Sequence, residues 1–231
     1  MSAKSRKSDL SMALRQGILT LKYAPGDDLD EVALCEAFGL SRTPVREVFR
    51  ELDGLGYVEL RQNRSARVAD LSHTRLRDFF LAAPMIYAAI LRLAAIHARR
   101  EQIEKLKAAQ EEFRAALRSG SVADRALANN RFHEITGEMA GNTYLLPSFR
   151  RLLIDHARIG MTFYRPQSDD MAANLVTASD QHEAIIAAIE AGDEAGAARL
   201  AEDHWALSRD QFERFVMPPA LDIPLATSST A

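Results

Sequence analysis

The sequence predicts a mainly α-helical protein in two parts. An N-terminal winged helix-turn-helix of three helices and a small β-hairpin is followed by an all-α antiparallel bundle. Three observations predict this. Between residues 10 and 69, three short segments with helical periodicity precede a single stretch that alternates like a hairpin. From Thr74 onward no strand alternation is visible and alanine is abundant. Breaks in that second stretch fall near Gly120-Ser121, Gly141-Asn142, Pro147, Pro166 to Ser168 and Gly192-Asp193, dividing it into about six or seven helices.

The first helix is read from Leu10, Leu14, Ile18 and Leu21, spaced three and four apart on one face. Pro25-Gly26 ends it with a turn. Asp30 is placed to cap a short second helix carrying Leu34, Ala37 and Phe38, and Gly39 stops it. Ser41 is placed to cap a third helix that tolerates Pro44 in its first turn. Val45, Val48, Phe49, Leu52 and Leu55 form the apolar stripe of that helix, and Gly54 and Gly56 break it. Tyr57 to Arg61 and Ala66 to Ala69 then read as two strands around a turn at residues 62–65. The expected organisation is therefore a DNA-binding unit over residues 1–73, a helical unit over 74–216, and a Pro-, Ser- and Thr-rich disordered tail over 217–231.

Composition narrows the function classes. Of 231 residues, 47% are hydrophobic and 26% charged, as in an ordinary globular chain. No uninterrupted apolar run approaches the ~18 residues of a membrane span, and the basic start MSAKSRKSD leads into no apolar segment. Cys35 is the single cysteine, so no internal disulfide is possible, and a buried structural thiol is expected. A cytoplasmic protein with no membrane partner is expected. The net charge is −3, with 11 basic and 11 acidic residues in the first 73 positions. Any nucleic-acid binding must therefore use a local patch rather than the field of the whole chain.

Such a patch is present. Arg42, Arg46 and Arg50 recur every fourth residue on the third helix, with Thr43 beside them, opposite Val45, Phe49 and Leu52. Guanidinium groups suit both bidentate contact with guanine and contact with phosphate, and a helix N-terminus at Ser41 favours phosphate too. Asn63 and Arg64 at the hairpin tip, with Arg61 and Arg67, are placed to reach backbone or minor groove. The same arginines could equally pair with Glu47 and Glu51 as a solvated face. The order of elements favours DNA, because the arginines sit on the helix that would enter the major groove.

These motifs resemble the GntR family of bacterial transcription regulators. The resemblance lies in Ala24 to Leu29 (APGDDL), Gly39 to Glu47 (GLSRTPVRE) and Leu52 to Val58 (LDGLGYV), and covers residues 10–70. It implies that Arg42, Thr43 and Arg46 contact operator DNA and that the wing tip adds a minor-groove contact. Two positions depart from the family pattern: Ser65 stands where the wing usually has glycine, and Val32 stands where the second helix is often basic.

The second half resembles the helical FCD domain of the FadR-like branch, through Asn129 to His133 (NNRFH), Ala140 to Leu145 (AGNTYL), His182 to Ile189, Ala191 to Asp193, and His204. Asn129 and His133 are four residues apart and share one helix face, while His182 and His204 lie on later helices. By spacing alone, three scattered histidines are more often unrelated. With the resemblance, Asn129, His133, His182 and His204 form a candidate divalent-metal site, for zinc or nickel. Asn129 replaces the aspartate found in many relatives and supplies a neutral, weaker oxygen. The segment Ala82 to Ala89 lacks the Arg and Glu pair that relatives often carry, so a more apolar pocket is expected. Arg158 is a candidate partner for an effector carboxylate. His73, His97 and His156 read as surface or structural residues, and Trp205 as packing.

The expected function is an effector-responsive regulator, a repressor sensing a small organic acid. As a homodimer it would read an imperfect palindrome in double-stranded operator DNA. Two alternatives stay open at this point: a metal-dependent enzyme built on the three histidines, and a ligand-free architectural DNA-binding protein.

Overall fold

The computed structural model describes residues 3–61 and 65–216. Asn63 and Arg64 at the wing tip and the expected tail at 217–231 lie outside the described residues.

Helix α1 (Ala3–Leu19) buries Leu10, Leu14 and Ile18, as their spacing requires. Leu21 does not continue that face: the helix ends first, and Leu21 sits half-turned to solvent at φ +57°. A two-residue strand, β1 (Asp28–Leu29), follows. Asp30 caps α2 (Glu31–Phe38) by accepting the backbone N–H groups of Val32 and Ala33 at 2.9 and 3.0 Å. Gly39, at φ +59°, closes it in the left-handed conformation that side chains disfavour. Helix α3 (Arg42–Leu55) buries Val45, Val48, Phe49 and Leu52 completely. Cys35 and Phe38 pack partly buried against this core, so the thiol is less enclosed than expected.

Strands β2 (Val58–Leu60) and β3 (Ala66–Val68) form the predicted antiparallel hairpin, with Val58 opposite Val68. The sheet has a third strand that the sequence did not reveal, since β1 pairs with the other edge of β3 in the order β1-β3-β2. Two residues are too few to show alternation, and β1 exists only because β3 offers it an edge. Arg67 braces this arrangement by donating from Nε to the Gly26 carbonyl.

Six helices among the described residues make the second unit: α4 (His73–His97), α5 (Arg100–Ser119), α6 (Val122–Ala140), α7 (Leu145–Phe163), α8 (Asp169–Ala191) and α9 (Glu194–Val216). Ser72, Ser121 and Ser168 cap α4, α6 and α8 with their hydroxyls, and Gly141 and Gly192 end α6 and α8. Pro84 lies well inside α4, and Pro147 lies in the first turn of α7 rather than between helices. The core contains Phe79, Tyr87, Ile90, Leu106, Phe132, Phe149, Ile185 and Trp205. By length and composition, α4 is apolar enough to cross a membrane, with a mean hydropathy of 2.0, because charged residues interrupt its window so sparsely. One side of it packs in the bundle, while Leu81, Met85 and Ile96 stay exposed on the other.

The two units meet along α7. Leu19 and Tyr57 pack against Ile154, Ala157 and Leu127. Beside this apolar seam lies a charged one. Arg158 is fully buried, and its guanidinium donates to the carbonyls of Ala69 (2.6 Å) and Asp70 (3.2 Å) and to the Asp155 carboxylate. Asp155 also accepts from Arg75 Nε at 3.1 Å. One carboxylate thus serves two arginines: Arg158 ties the linker before α4 to α7, and Arg75 ties the first turn of α4 to it.

Removing that carboxylate strands a buried cation. Asp155→Ala is expected to lower the unfolding free energy by ~3–5 kcal/mol, whereas Arg158→Met combined with Asp155→Leu restores most of the loss. Urea unfolding followed by the fluorescence of Trp205, the single tryptophan, checks both.

Candidate functional site

Two sites are built from the residues singled out by sequence. The first is the outer face of α3. Ser41 occupies the N-cap position with extended backbone, but its hydroxyl makes no capping bond. Arg42, Thr43 and Arg50 are exposed beside it, and Arg46 is half-buried. The solvated-face alternative required these arginines to pair with Glu47 and Glu51. Both acids are taken by α1 instead: Lys7 Nζ lies 2.7 Å from Glu47, and Arg15 lies 2.7 Å from Glu51. Helix α2 supplies a different partner. Glu31 holds Arg46 Nε at 2.8 Å and lies 3.5 Å from Arg42. A single carboxylate thus orients two arginines on the same edge of α3, with Arg42 still 67% exposed.

The second site lies inside the bundle. His133 on α6, His182 on α8 and His204 on α9 are all buried, and one ring nitrogen of each lies within 4.8 Å of the others. The ring centroids are 5.4, 5.2 and 4.7 Å apart for the pairs 133–182, 133–204 and 182–204. Phe132 stacks flat on His182 at 3.8 Å and fixes its plane. Asn129, one turn before His133 on α6, is buried, and its Oδ1 has no hydrogen-bond partner.

Neighbouring amides set the tautomers. Gln110 Oε1 lies 2.9 Å from His182 Nδ1, and Gln181 Oε1 lies 2.9 Å from His204 Nδ1. The Gln110 orientation is fixed because its Nε2 donates to the carbonyl and hydroxyl of Ser179. An amide oxygen only accepts, so each Nδ1 carries the proton and each Nε2 presents a bare lone pair. His133 Nε2 and His182 Nε2 are buried and have no protein partner. Buried polar atoms are rarely left this way, so the orphaned set of two imidazole nitrogens and an amide oxygen fits a metal ion.

Electrostatics agree with that donor set. Burial pushes the His133 and His182 imidazoles well below their ordinary range, and it lowers His204 to about 4 and His156 to about 3. All four are neutral near pH 7, the protonation state that ligates metals.

His156 is the residue that sequence reasoning missed. Read from sequence as a surface or structural residue with no partner, it is buried on α7 with its ring 5.1 Å from His133 and its Nδ1 2.5 Å from the Tyr87 hydroxyl. Gln110 and Gln181 also gave no sequence signal, since each meets its histidine across a gap between helices. Arg158 corrects a second expectation. Both terminal nitrogens of its guanidinium are engaged by Asp155 and the linker carbonyls, so it is a clamp between units rather than an open carboxylate partner. His97 Nδ1 donates to the Ala140 carbonyl, and Trp205 packs among Phe79, Phe80 and Tyr87, as structural roles require.

Neutral burial of these histidines has a pH consequence. Below about pH 6.5 the unfolded imidazoles take up protons that the folded ones refuse until about 4 for His204 and about 3 for His156. Stability is therefore complete above about pH 6.5 and lost as pH falls, by ~1.4 kcal/mol per pH unit for each such histidine. Urea midpoints of metal-free protein should drop steeply from about pH 6 to about pH 5, and a flat profile there would contradict neutral burial.

Comparison with known proteins identifies both units. Residues 7–68 match the family profile described as bacterial regulatory proteins, gntR family, and residues 84–207 match the FCD domain. A protein of Paenarthrobacter nicotinovorans named as a probable D-xylose utilization operon transcriptional repressor is 31% identical over 182 residues, spanning 79% of this chain and 76% of that one. The transcriptional repressor RspR of Escherichia coli K12 is 28% identical over 127 residues, 55% of this chain and 56% of its own. Among solved structures, E. coli McbR/YncC has the same fold, with a TM-score of 0.76 at 16% identity, covering 93% of this chain and all of that one. The relatives are transcription regulators rather than enzymes, which sets aside a metalloenzyme built on the histidines. The chain belongs to the gntR family of bacterial regulatory proteins, and it is a DNA-binding transcription regulator whose helical bundle is an FCD domain.

Proposed function

We propose that the protein is a cytoplasmic repressor that binds operator DNA as a homodimer and is switched by a small organic acid sensed at the histidine cluster. The observation that carries the DNA part is the exposed cationic edge of α3. Ser41, Arg42, Thr43, Arg46 and Arg50 face outward together, while Glu47 and Glu51 are drawn away to α1. In this reading Arg42 and Arg46 make base contacts, Ser41, Thr43 and Arg50 contact phosphate, and Asn63 and Arg64 add a wing contact. Relatives named as repressors support the sign of regulation.

A second copy of the chain would cover the exposed stripe of α4, which carries Leu81, Met85 and Ile96. Two recognition helices related by that symmetry would read the halves of an imperfect palindrome.

In the bundle, His133, His182 and His204, with Asn129, would hold a zinc or nickel ion. The bound ion would supply a Lewis-acidic anchor for an oxygen ligand. Helix α7 is the route by which occupancy would reach the DNA. It carries His156 beside the cluster, and Asp155 and Arg158 against the linker. It also places the Arg151 guanidinium against Gly56, at the C-terminal end of α3, where any Cβ would collide with it. An effector shifts the operator equilibrium only as far as it favours one placement of these units over the other.

The test begins with an operator duplex selected in vitro from random sequence with the wild-type protein. Arg42→Ala and Arg46→Ala are each expected to weaken its binding by ~1–3 kcal/mol while leaving binding to unrelated DNA nearly unchanged. Unchanged affinity in both variants would overturn the assignment of α3. Sequence-indifferent binding by the wild type would favour an architectural protein instead.

A further inference from the structure

We propose that the seam between the two units holds a small-molecule site of its own, for a neutral polyhydroxylated molecule of monosaccharide size. It lies apart from the histidine cluster and does not rest on the metal reading. A cavity of about 260 Å³ opens between the winged unit and the bundle. Arg15 of α1, Leu55 at the end of α3 and Tyr57 before β2 line one side of it. Asn130 and Glu134 of α6, with Arg150 and Leu153 of α7, line the other. The volume falls just under the ~300 Å³ at which pockets for drug-sized ligands begin, so the occupant is small.

The polar groups of this cavity lack hydrogen bonds. Arg15 Nε and Asn130 Oδ1 are closed off from bulk solvent, and among the described residues neither has a partner. One donates and the other accepts, so no simple anion or cation satisfies both. Arg150 and Glu134 repeat the pattern. Their charged atoms stand 3.9 Å apart, and the pairs Arg131–Glu134 and Arg150–Glu138 are 3.6 Å apart, all beyond hydrogen-bond length. The charges nearly cancel, because Arg15 is paired with Glu51 at 2.7 Å and Arg150 faces Glu134. Burial raises the Tyr57 phenol above its ordinary range, while Arg15, Glu134 and Arg150 act on it in opposing directions, so it stays neutral. A balanced site with unmet donors and acceptors selects groups that do both, and those are hydroxyls. One hydroxyl can accept from Arg150 while donating to Glu134, and Arg15 Nε and Asn130 Oδ1 call for the same two-way chemistry. Leu55, Leu153 and the Tyr57 ring offer apolar surface to the carbon-bound hydrogens of a sugar, which water cannot use. Such a molecule touches both units at once, so its binding favours the arrangement seen here.

Isothermal titration of the full-length protein with arabinose, glucose, galactose and myo-inositol tests this. Sucrose, too large for the cavity, controls for general osmolyte effects. At least one of the four is expected to bind saturably at millimolar concentration, and sucrose is not. Asn130→Leu removes an unpaired buried acceptor and fills space, so it should fold like wild type and weaken that binding about tenfold or more. Glu134→Ala, at a half-exposed position, should weaken it similarly. His204→Ala, on the far side of the bundle site, should leave it unchanged. No binding by any of the four would overturn the proposal and leave the cavity to water. Binding that survives both Asn130→Leu and Glu134→Ala, or that is lost in His204→Ala, would put the sugar elsewhere and overturn it as well.

Discussion

The buried guanidinium of Arg158 is the constraint on which the arrangement of the two units depends. A cation with no exposed surface must find acceptors, and here it takes two carbonyls from the linker and one carboxylate from its own helix. The linker residues Ala69 and Asp70 are thereby fixed to α7, and with them the sheet that flanks the recognition helix. Arg75 repeats the tether one turn into α4 through the same carboxylate. The apolar seam of Leu19, Tyr57, Ile154 and Ala157 adds area but little direction. The charged cluster is what sets the register of one unit on the other, because its hydrogen bonds tolerate only small displacements.

The same helix also runs from the histidine cluster to the winged unit. His156 and Arg158 are two residues apart on α7 and serve opposite neighbours, one the imidazoles and Tyr87, the other the linker. Four imidazoles held neutral by burial, with Gln110 and Gln181 fixing two of their protons, make an interior poised for a cation. Movement of α7 toward or away from that cation would be felt at Asp155, Arg158 and Arg151 together. No long chain of intermediates is needed, since one helix touches the cluster, the linker and the end of α3.

Much of this was legible in the sequence, and what was not has a physical reason. The α3 stripe and its arginines were readable because burial follows a period that spacing displays, and Asp30 and Gly39 were readable because caps have local chemistry. The three clustered histidines were readable through their resemblance, not through spacing. Strand β1 was invisible because it borrows its hydrogen bonds from β3. The partners of His156 and Arg158 were not legible because nothing local distinguishes a surface side chain on α7 from one facing another helix. Gln110 and Gln181 each orient a histidine on another helix, and only packing reveals that. The exposed apolar side of α4 was hidden by the same composition that made it look like core.

The central claim is that His133, His182 and His204 share one metal ion. Crystals of protein loaded with zinc and acetate, measured on both sides of the zinc absorption edge, test it most directly. One anomalous peak within bonding distance of all three Nε2 atoms is the predicted result. No peak at the cluster, or zinc held only on surface residues, would contradict it.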